Sequence, residues 1–239
     1  MNLSFLGIGS AYNTAWGNTN AYFHHGDDLC LLDCGEATFS ALRRRRLPDD
    51  CHGKIVVLLT HCHADHVGSL ASLCSYAYYR LGKMVHVVHP DSQVTELLRL
   101  MGIPAGQYHY HEELRMLLPG LDAKALPVVH TPDIPAYGYL LRQGNAALYY
   151  SGDAGSIPEL VLAMLKDGAL ERMYQDTCWQ QRDLPPNGHH MTLYQLEELI
   201  PPHLRSKVYL MHFNRDYRTE AMQMGFSCTE PDGLFATEE

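Results

Sequence analysis

His61, His63, Asp65 and His66 fall within six consecutive positions of the stretch HCHADH. Neutral imidazoles and a carboxylate suit Zn²⁺ well and Mn²⁺ or Fe²⁺ acceptably, with no thiolate required. His61 and His63 are two apart, so in an extended loop their rings point the same way, toward one cation. Asp65 and His66 fall where the next helix opens and can face a second. Cys62 alternates away from its neighbours and is not counted among the ligands. Helix capping alone seldom assembles such a cluster, so metal binding is the reading.

These residues need a strand to deliver them. Residues 54–60, KIVVLLT, form a continuous apolar run, the pattern of a strand covered on both faces, and it ends at His61. Early strands are read in LSFLGI, NAYFHH and DLCLLDCG, and a helix over residues 37–46. A helix follows over 66–81, with Leu70, Leu73, Ala77 and Leu81 on one face and Gly82 as its stop. Then come a strand in MVHVVHP, a helix over 92–101, and strands in AKALPVVH, YGYLLRQ and AALYYSGD, the last two joined at Gly144 and Asn145. Helices over 158–166 and 192–199 flank a strand in RMYQDT, and the strand KVYLMH ends at His212. Strands with interspersed helices throughout predict a layered α/β fold. No repeat, low-complexity tract or long linker divides the chain, so residues 1–239 are read as one domain.

Composition narrows the function. Lys plus Arg number 18 against 27 Asp plus Glu, a net charge of −9, which opposes nonspecific binding to nucleic acid or anionic membranes. The seven cysteines are scattered without CxxC spacing, as expected of reduced thiols. Without a basic n-region or an apolar run near the ~20 residues a bilayer requires, the chain is expected to be soluble and cytoplasmic, with no membrane partner. Arg43, Arg44, Arg45 and Arg46 are read as a solvated helix end, with a phosphate clamp as the alternative. His24, His25, His52, His86, His89, His109, His111 and His203 are read as ordinary surface or core residues. Tyr108 and Tyr110 share the surface reading with His109 and His111; a substrate-facing loop is the alternative.

HCHADH resembles the HxHxDH motif of the metallo-β-lactamase superfamily, and further motifs follow in that superfamily's order. LLDCG resembles the first and supplies Asp33, a support for the ligand loop. VVHTPDIPAYGYLL supplies His130, YYSGDA supplies Asp153 and VYLMHF supplies His212. The resemblance implies a four-layer αββα sandwich holding two divalent metal ions, Zn²⁺ in the first instance. His61, His63 and His130 would hold one, Asp65, His66 and His212 the other, with Asp153 bridging. Such a pair, held ~3.5–4 Å apart, lowers the pKa of water and offsets charge on attacking and leaving oxygens, so the implied reaction is hydrolysis.

FLGIGSAYNTAWGNTNAYF, QDTCW, HHMTLYQ and LMHFNRDY are similar to elements of the ribonuclease Z-like phosphodiesterase branch. Carried over by position, His190 would give a proton to the leaving oxygen and Asp176, where the branch usually has glutamate, would orient it. The expected catalytic set is Asp65, His190 and Asp176. The idle alternative leaves His190 a neighbour of Thr192, the cap of the next helix. The arm that grips transfer RNA is missing, because His130 and Asp153 are separated by only enough chain for a hairpin. A small-molecule phosphodiester, such as a cyclic nucleotide or cyclic sugar phosphate, is therefore the expected substrate, and structured nucleic acid is disfavoured. The resemblance also implies a homodimer. A lactonase or thioesterase using the same metals is the runner-up, with a ribonuclease Z-like RNA endonuclease, a noncatalytic binding module and a di-iron reductase behind it.

Overall fold

The computed structural model describes residues 1–232; residues 233–239, part of the expected domain, lie outside the described residues. Two six-stranded sheets share one plan. The first runs β1 (Ser4–Gly7), β2 (Asn20–His25), β3 (Asp28–Leu32), β4 (Ile55–Leu58), β5 (Val85–Val88) and β6 (Tyr108–His111). The second runs β7 (Leu121–Val128), β8 (Ala136–Gln143), β9 (Ala146–Tyr150), β10 (Arg172–Asp176), β11 (Val208–Met211) and β12 (Ser227–Cys228). In each sheet the first three strands pair antiparallel and the last four parallel. Parallel pairing requires crossovers, and helices supply most of them.

The apolar run before His61 is buried on both sides, as its composition predicts. Val56 and Leu58 of β4 pack with Phe5, Tyr139, Leu141 and Tyr149 between the sheets. Ile55 and Val57 face the opposite way, into a core shared with three helices, α1 (Thr38–Arg44), α4 (Leu70–Tyr76) and α5 (Gln93–Leu100). Two short helices, α2 (Leu47–Asp50) and α3 (Ala64–Val67), accompany them. The second sheet is covered by α6 (Glu159–Lys166), α7 (Leu193–Leu199) and α8 (Arg218–Gln223). Helices, sheet, sheet, helices is the four-layer αββα order that the resemblance implies. Among the described residues no helix is long and apolar enough to cross a membrane.

Three local readings differ from the sequence expectation. The helix expected over residues 66–81 is broken into α3, α4 and a π turn over Ala77–Leu81. The break falls at Ser69, whose N–H donates to the Cys34 carbonyl and whose hydroxyl donates to the Gly35 carbonyl, so contacts from another strand end interrupt the ladder. Residues 108–111 are an edge strand rather than a loop, paired parallel to β5 with Tyr108 buried. The arginine run is not a uniformly solvated end: Arg43 pairs with Asp49 and lies 4.1 Å from the Tyr76 ring centroid, and the mostly buried Arg45 approaches Asp232 at 3.8 Å.

Candidate metal centre

The chemically suspect residues sit at or beyond the C-terminal ends of strands. Asp33 follows β3, His61 and His63 follow β4, His130 follows β7, Asp153 follows β9, and His212 follows β11; Asp176 closes β10. In open α/β sheets this rim is where ligands bind, because the chain leaves the sheet there with its side chains free to converge. Two glycines permit the convergence. A Cβ on Gly35 would lie 1.8 Å from the Asp65 carbonyl oxygen, so only glycine lets the Asp33 loop lie against α3. Gly152 has φ +59 and a Cβ there would meet Thr60 at 2.7 Å. Asp33 and His212 adopt left-handed backbone at φ 68 and φ 63, which residues with a Cβ disfavour by roughly 1–2 kcal/mol.

Three groups of ligating atoms result, the third being Asp153, Asp176, His190 and His212, which shares Asp153 and His212 with the second. His61, His63 and His130 form the first: His63 Nδ1 is 3.0 Å from His61 Nε2 and 3.1 Å from His130 Nε2. Asp65, His66, Asp153 and His212 form the second. There His66 Nε2 lies 3.2 Å from Asp65 Oδ2 and 3.0 Å from Asp153 Oδ1, while His212 Nε2 lies 3.5 Å and 3.3 Å from the same two oxygens. Ligands bonded at about 2.0–2.1 Å in a tetrahedral shell are roughly 3.3 Å apart, so the first two groups have the spacing of a coordination sphere. Asp153 reaches both, since its other oxygen, Oδ2, is 4.0 Å from His61 Nε2 and 3.8 Å from His130 Nε2.

His66 Nε2 and Asp153 Oδ1 are buried and, although 3.0 Å apart, make no well-directed hydrogen bond to each other or to any other described residue. Buried polar atoms left so are costly unless something else satisfies them, and a divalent cation between them would do so. The donor set therefore fits the metals it was expected to hold.

A second ring of contacts fixes which nitrogen each imidazole presents. The His66 Nδ1–H donates to Asp33 Oδ2 at 2.8 Å. The His61 Nδ1–H donates to Thr60 Oγ1 at 3.0 Å, and that hydroxyl donates to Asp33 Oδ2 at 3.0 Å. The Thr60 backbone N–H occupies Asp33 Oδ1 at 2.7 Å. One buried carboxylate thus sets two imidazoles with Nε2 toward the site. The His130 Nδ1–H donates to the His189 carbonyl at 3.1 Å, and the His189 Nδ1–H returns a bond to the His130 carbonyl at 3.0 Å.

Asp176 holds the other side. Its Oδ1 lies 3.2 Å from His212 Nδ1, and its Oδ2 accepts from His190 Nδ1 at 2.7 Å and from the Ala154 N–H at 2.8 Å. His190 is therefore held by Asp176, and Thr192 forms the expected cap, a capping box with Gln195. Burial alone would lower His190, but the Asp176 carboxylate outweighs it and raises the imidazole above its ordinary value.

The two halves differ electrostatically. Burial drives His61 well below the usual imidazole value, with His66 adding to the effect, and burial also lowers His130. Those rings are neutral with lone pairs available. Burial opposes charge on His212 too, yet Asp153 and Asp176 prevail and raise it to about 10; Asp153 and Asp33 likewise raise His66. The carboxylate-rich half is thus suited to positive charge.

The centre opens into a cavity of about 400 Å³. Its walls include Tyr12, Thr131, Trp179, Asn187, His189 and Asn214, beside His63, Asp65, His130, Asp153, His190 and His212, and among the described residues no Lys or Arg lines it. None of Arg43, Arg44, Arg45 and Arg46 lines it, nor do the eight histidines read as ordinary residues. Thr60, Asn187 and Trp179 escaped the sequence reading. Asn187 was detectable, as an Asn–Gly pair two residues before His189; its Oδ1 accepts from the N–H groups of His189 and His190. Trp179 had no local signal.

Asp33→Asn removes one of two acceptor oxygens that together take three hydrogen bonds. Metal affinity is expected to fall by about 10–100-fold, read by competition with a chromogenic chelator; affinity equal to the wild type would show that Asp33 does not orient the ligands.

Sheets, rim and paired ligand groups define a metallo-β-lactamase-fold, metal-dependent hydrolase. Solved structures share the fold: the metallo-β-lactamase-fold protein YhfI from Bacillus subtilis superposes with a TM-score of 0.75 at 15% identity, covering 95% of this chain and 94% of that one. The short form of human tRNase Z gives 0.65 at 17%, covering 97% and 96%. Within that class the chain belongs to the family described as Anti-Pycsar protein Apyc1, whose sequence profile matches residues 1–229. The Anti-Pycsar protein Apyc1 of Paenibacillus harenae is 28% identical over 228 residues, 89% of this chain and 90% of its own length.

Proposed function

We propose that the chain hydrolyses a small cyclic phosphodiester, with a cyclic nucleotide as the leading substrate, using two divalent cations, Zn²⁺ by ligand chemistry. His61, His63 and His130 would hold one, Asp65, His66 and His212 the other, and Asp153 would bridge them. When bound, such a pair lowers the pKa of water and offsets negative charge on the phosphoryl oxygens.

One observation carries the choice of a diester over a carbonyl substrate: Asp176 grips His190 Nδ1 at 2.7 Å, and His190 lines the cavity beside Asp153 and His212. Its Nε2 is thereby left to hold a proton at the cavity, next to where a phosphate would lie. An alkoxide leaving from phosphorus needs that proton, whereas opening a lactone needs it less. Asp176 accepts the Nδ1–H and favours the charged imidazolium, the form in which Nε2 also carries a proton to donate. Asp65 serves as a ligand directly on the substrate side, since it too lines the cavity.

Cavity size supports a small molecule, because about 400 Å³ lies at the lower end of the ~300–1,000 Å³ typical of such sites. Walls without Lys or Arg, on a chain of net charge −9, offer little to a polyanion. Tyr12 and Trp179 provide ring surfaces against which a base can lie.

Turnover of 3′,5′-cyclic nucleotides and bis(p-nitrophenyl) phosphate should be measured beside a homoserine lactone and an acyl thioester, with and without chelator. Metal-dependent hydrolysis of the diesters alone is the expected result. Turnover confined to the lactone or thioester by metal-loaded protein would overturn the proposal.

A further inference from the structure

Trp179 is half-buried at the cavity wall, three residues beyond Asp176, and is fixed from several sides. The Asn214 side chain clasps its backbone: Oδ1 accepts from the Trp179 N–H at 3.0 Å, and Nδ2 donates to the Trp179 carbonyl at 3.0 Å. The indole Nε1–H donates to Glu220 Oε2 at 3.1 Å, and the other oxygen of that carboxylate accepts from the Tyr194 hydroxyl at 2.8 Å. The Arg215 guanidinium covers one face of the indole, 3.8 Å from the ring centroid.

These contacts tie the ring to the two strand ends that carry Asp176 and His212. Trp179 follows Asp176 at the end of β10, Asn214 comes two residues after His212 at the end of β11, and the two strands pair in parallel. Three residues of chain span at most ~11 Å, so the indole and the carboxylate that holds His190 and His212 share one short stretch of backbone. Arg215 is not among the residues lining the cavity, so the indole face turned to the cavity is the one it leaves uncovered. With Nε1 already satisfied by Glu220, that face acts through its π surface. Tyr12, the other large ring at the cavity, is 97% exposed and offers no comparably fixed surface.

We propose that Trp179 is the specificity-determining residue of the site, its uncovered indole face stacking the nucleobase of a cyclic nucleotide whose phosphate lies beside Asp153, His190 and His212. The assignment rests on the phosphodiesterase reading above and narrows the substrate to cyclic phosphodiesters that carry a flat aromatic base. A ring already held by Asn214, Glu220 and Arg215 has little freedom left to lose on binding, so the contact with the base is not offset by an ordering cost. Because the same two strand ends set the ring and the groups around the phosphate, a base lying on Trp179 fixes the orientation of the diester relative to His190.

Full-length, metal-loaded protein is compared with Trp179→Leu, which keeps apolar bulk without a π face, and with Trp179→Phe, which keeps a smaller one. Two substrates are used: 3′,5′-cyclic AMP, and methyl riboside 3′,5′-cyclic phosphate, which has the same cyclic diester but no base. Trp179→Leu is expected to raise the KM for cyclic AMP on the order of 10–100-fold more than the KM for the base-free diester, with Trp179→Phe in between. A KM raised equally for both substrates, or for neither, would overturn the proposal. Indole fluorescence supplies a reading that does not depend on turnover. Trp16, the chain's other tryptophan, does not line the cavity, so a hydrolysis-resistant phosphorothioate of cyclic AMP should change the emission of wild type and leave that of Trp179→Phe as it was. Such a change in wild type that hydrolyses neither diester would keep the stacking role and overturn the phosphodiesterase reading. Hydrolysis of cyclic AMP with wild-type emission unmoved by the analogue would do the reverse.

Discussion

Asp153→Asn is expected to lower diester hydrolysis by on the order of 10³-fold or more and to reduce bound metal. The side chain is buried, and its two oxygens serve different groups: Oδ1 lies 3.0 Å and 3.3 Å from His66 and His212 Nε2, while Oδ2 approaches His61 and His130. An amide has one acceptor oxygen, and in either orientation it turns N–H groups toward one of the two ligand clusters. Removing the negative charge also weakens the hold on positive charge in the carboxylate-rich half, where Asp153 raises both His66 and His212. A cation in such a site contributes several kcal/mol of charge stabilisation in the transition state, and each ~1.4 kcal/mol is tenfold in rate. Metal content by mass spectrometry and kcat should be taken from one preparation. Wild-type metal content with activity within a few-fold would sink the bridging role.

His190→Ala is expected to leave metal content unchanged while lowering kcat on a cyclic nucleotide by about 10²–10⁴-fold, the usual contribution of a positioned proton donor. His190 lies within ligating reach of Asp153 and His212 but has its Nδ1 engaged by Asp176, so the separation of metal content from rate is the signature to look for. The loss should shrink on bis(p-nitrophenyl) phosphate, because nitrophenolate is a stable anion that needs no proton. Asp176→Asn should behave differently, losing rate and metal together, since its carboxylate contacts both His190 and His212. Equal losses for His190→Ala on alkyl and aryl diesters would argue that the imidazole binds substrate rather than protonating the leaving oxygen.

Local sequence carried much of the architecture. The double-sided apolar run of β4 was readable because four buried residues in succession leave no solvent face. The hairpin of β8 and β9 was readable from Gly144, which takes φ +59 at the turn, and α7 from its capping residues. The edge strand β6 was not, because Tyr-His-Tyr-His has no strong apolar alternation and becomes a strand only by pairing with β5. The break at Ser69 was equally hidden, since the groups that cause it belong to Cys34 and Gly35.

For the site, the identities of His61, His63, Asp65 and His66 are written in six adjacent positions, and motif order added His130, Asp153, His190 and His212. Short spacing restricts where side chains can point, which is why these types in this pattern already imply a metal. What joins them is not local. Asp65 and His212 are 147 residues apart, and His63 and His130 are 67 apart. Their distances, the division of Asp153 between two groups, the relay from Asp33 through Thr60 to His61, and the double grip of Asp176 follow from how the two sheets pack at one rim. Sequence by itself determined which ligands are available. Only the packed sheets decided which atoms face one another, because angstrom-scale separations between residues so distant in the chain are set by tertiary contacts.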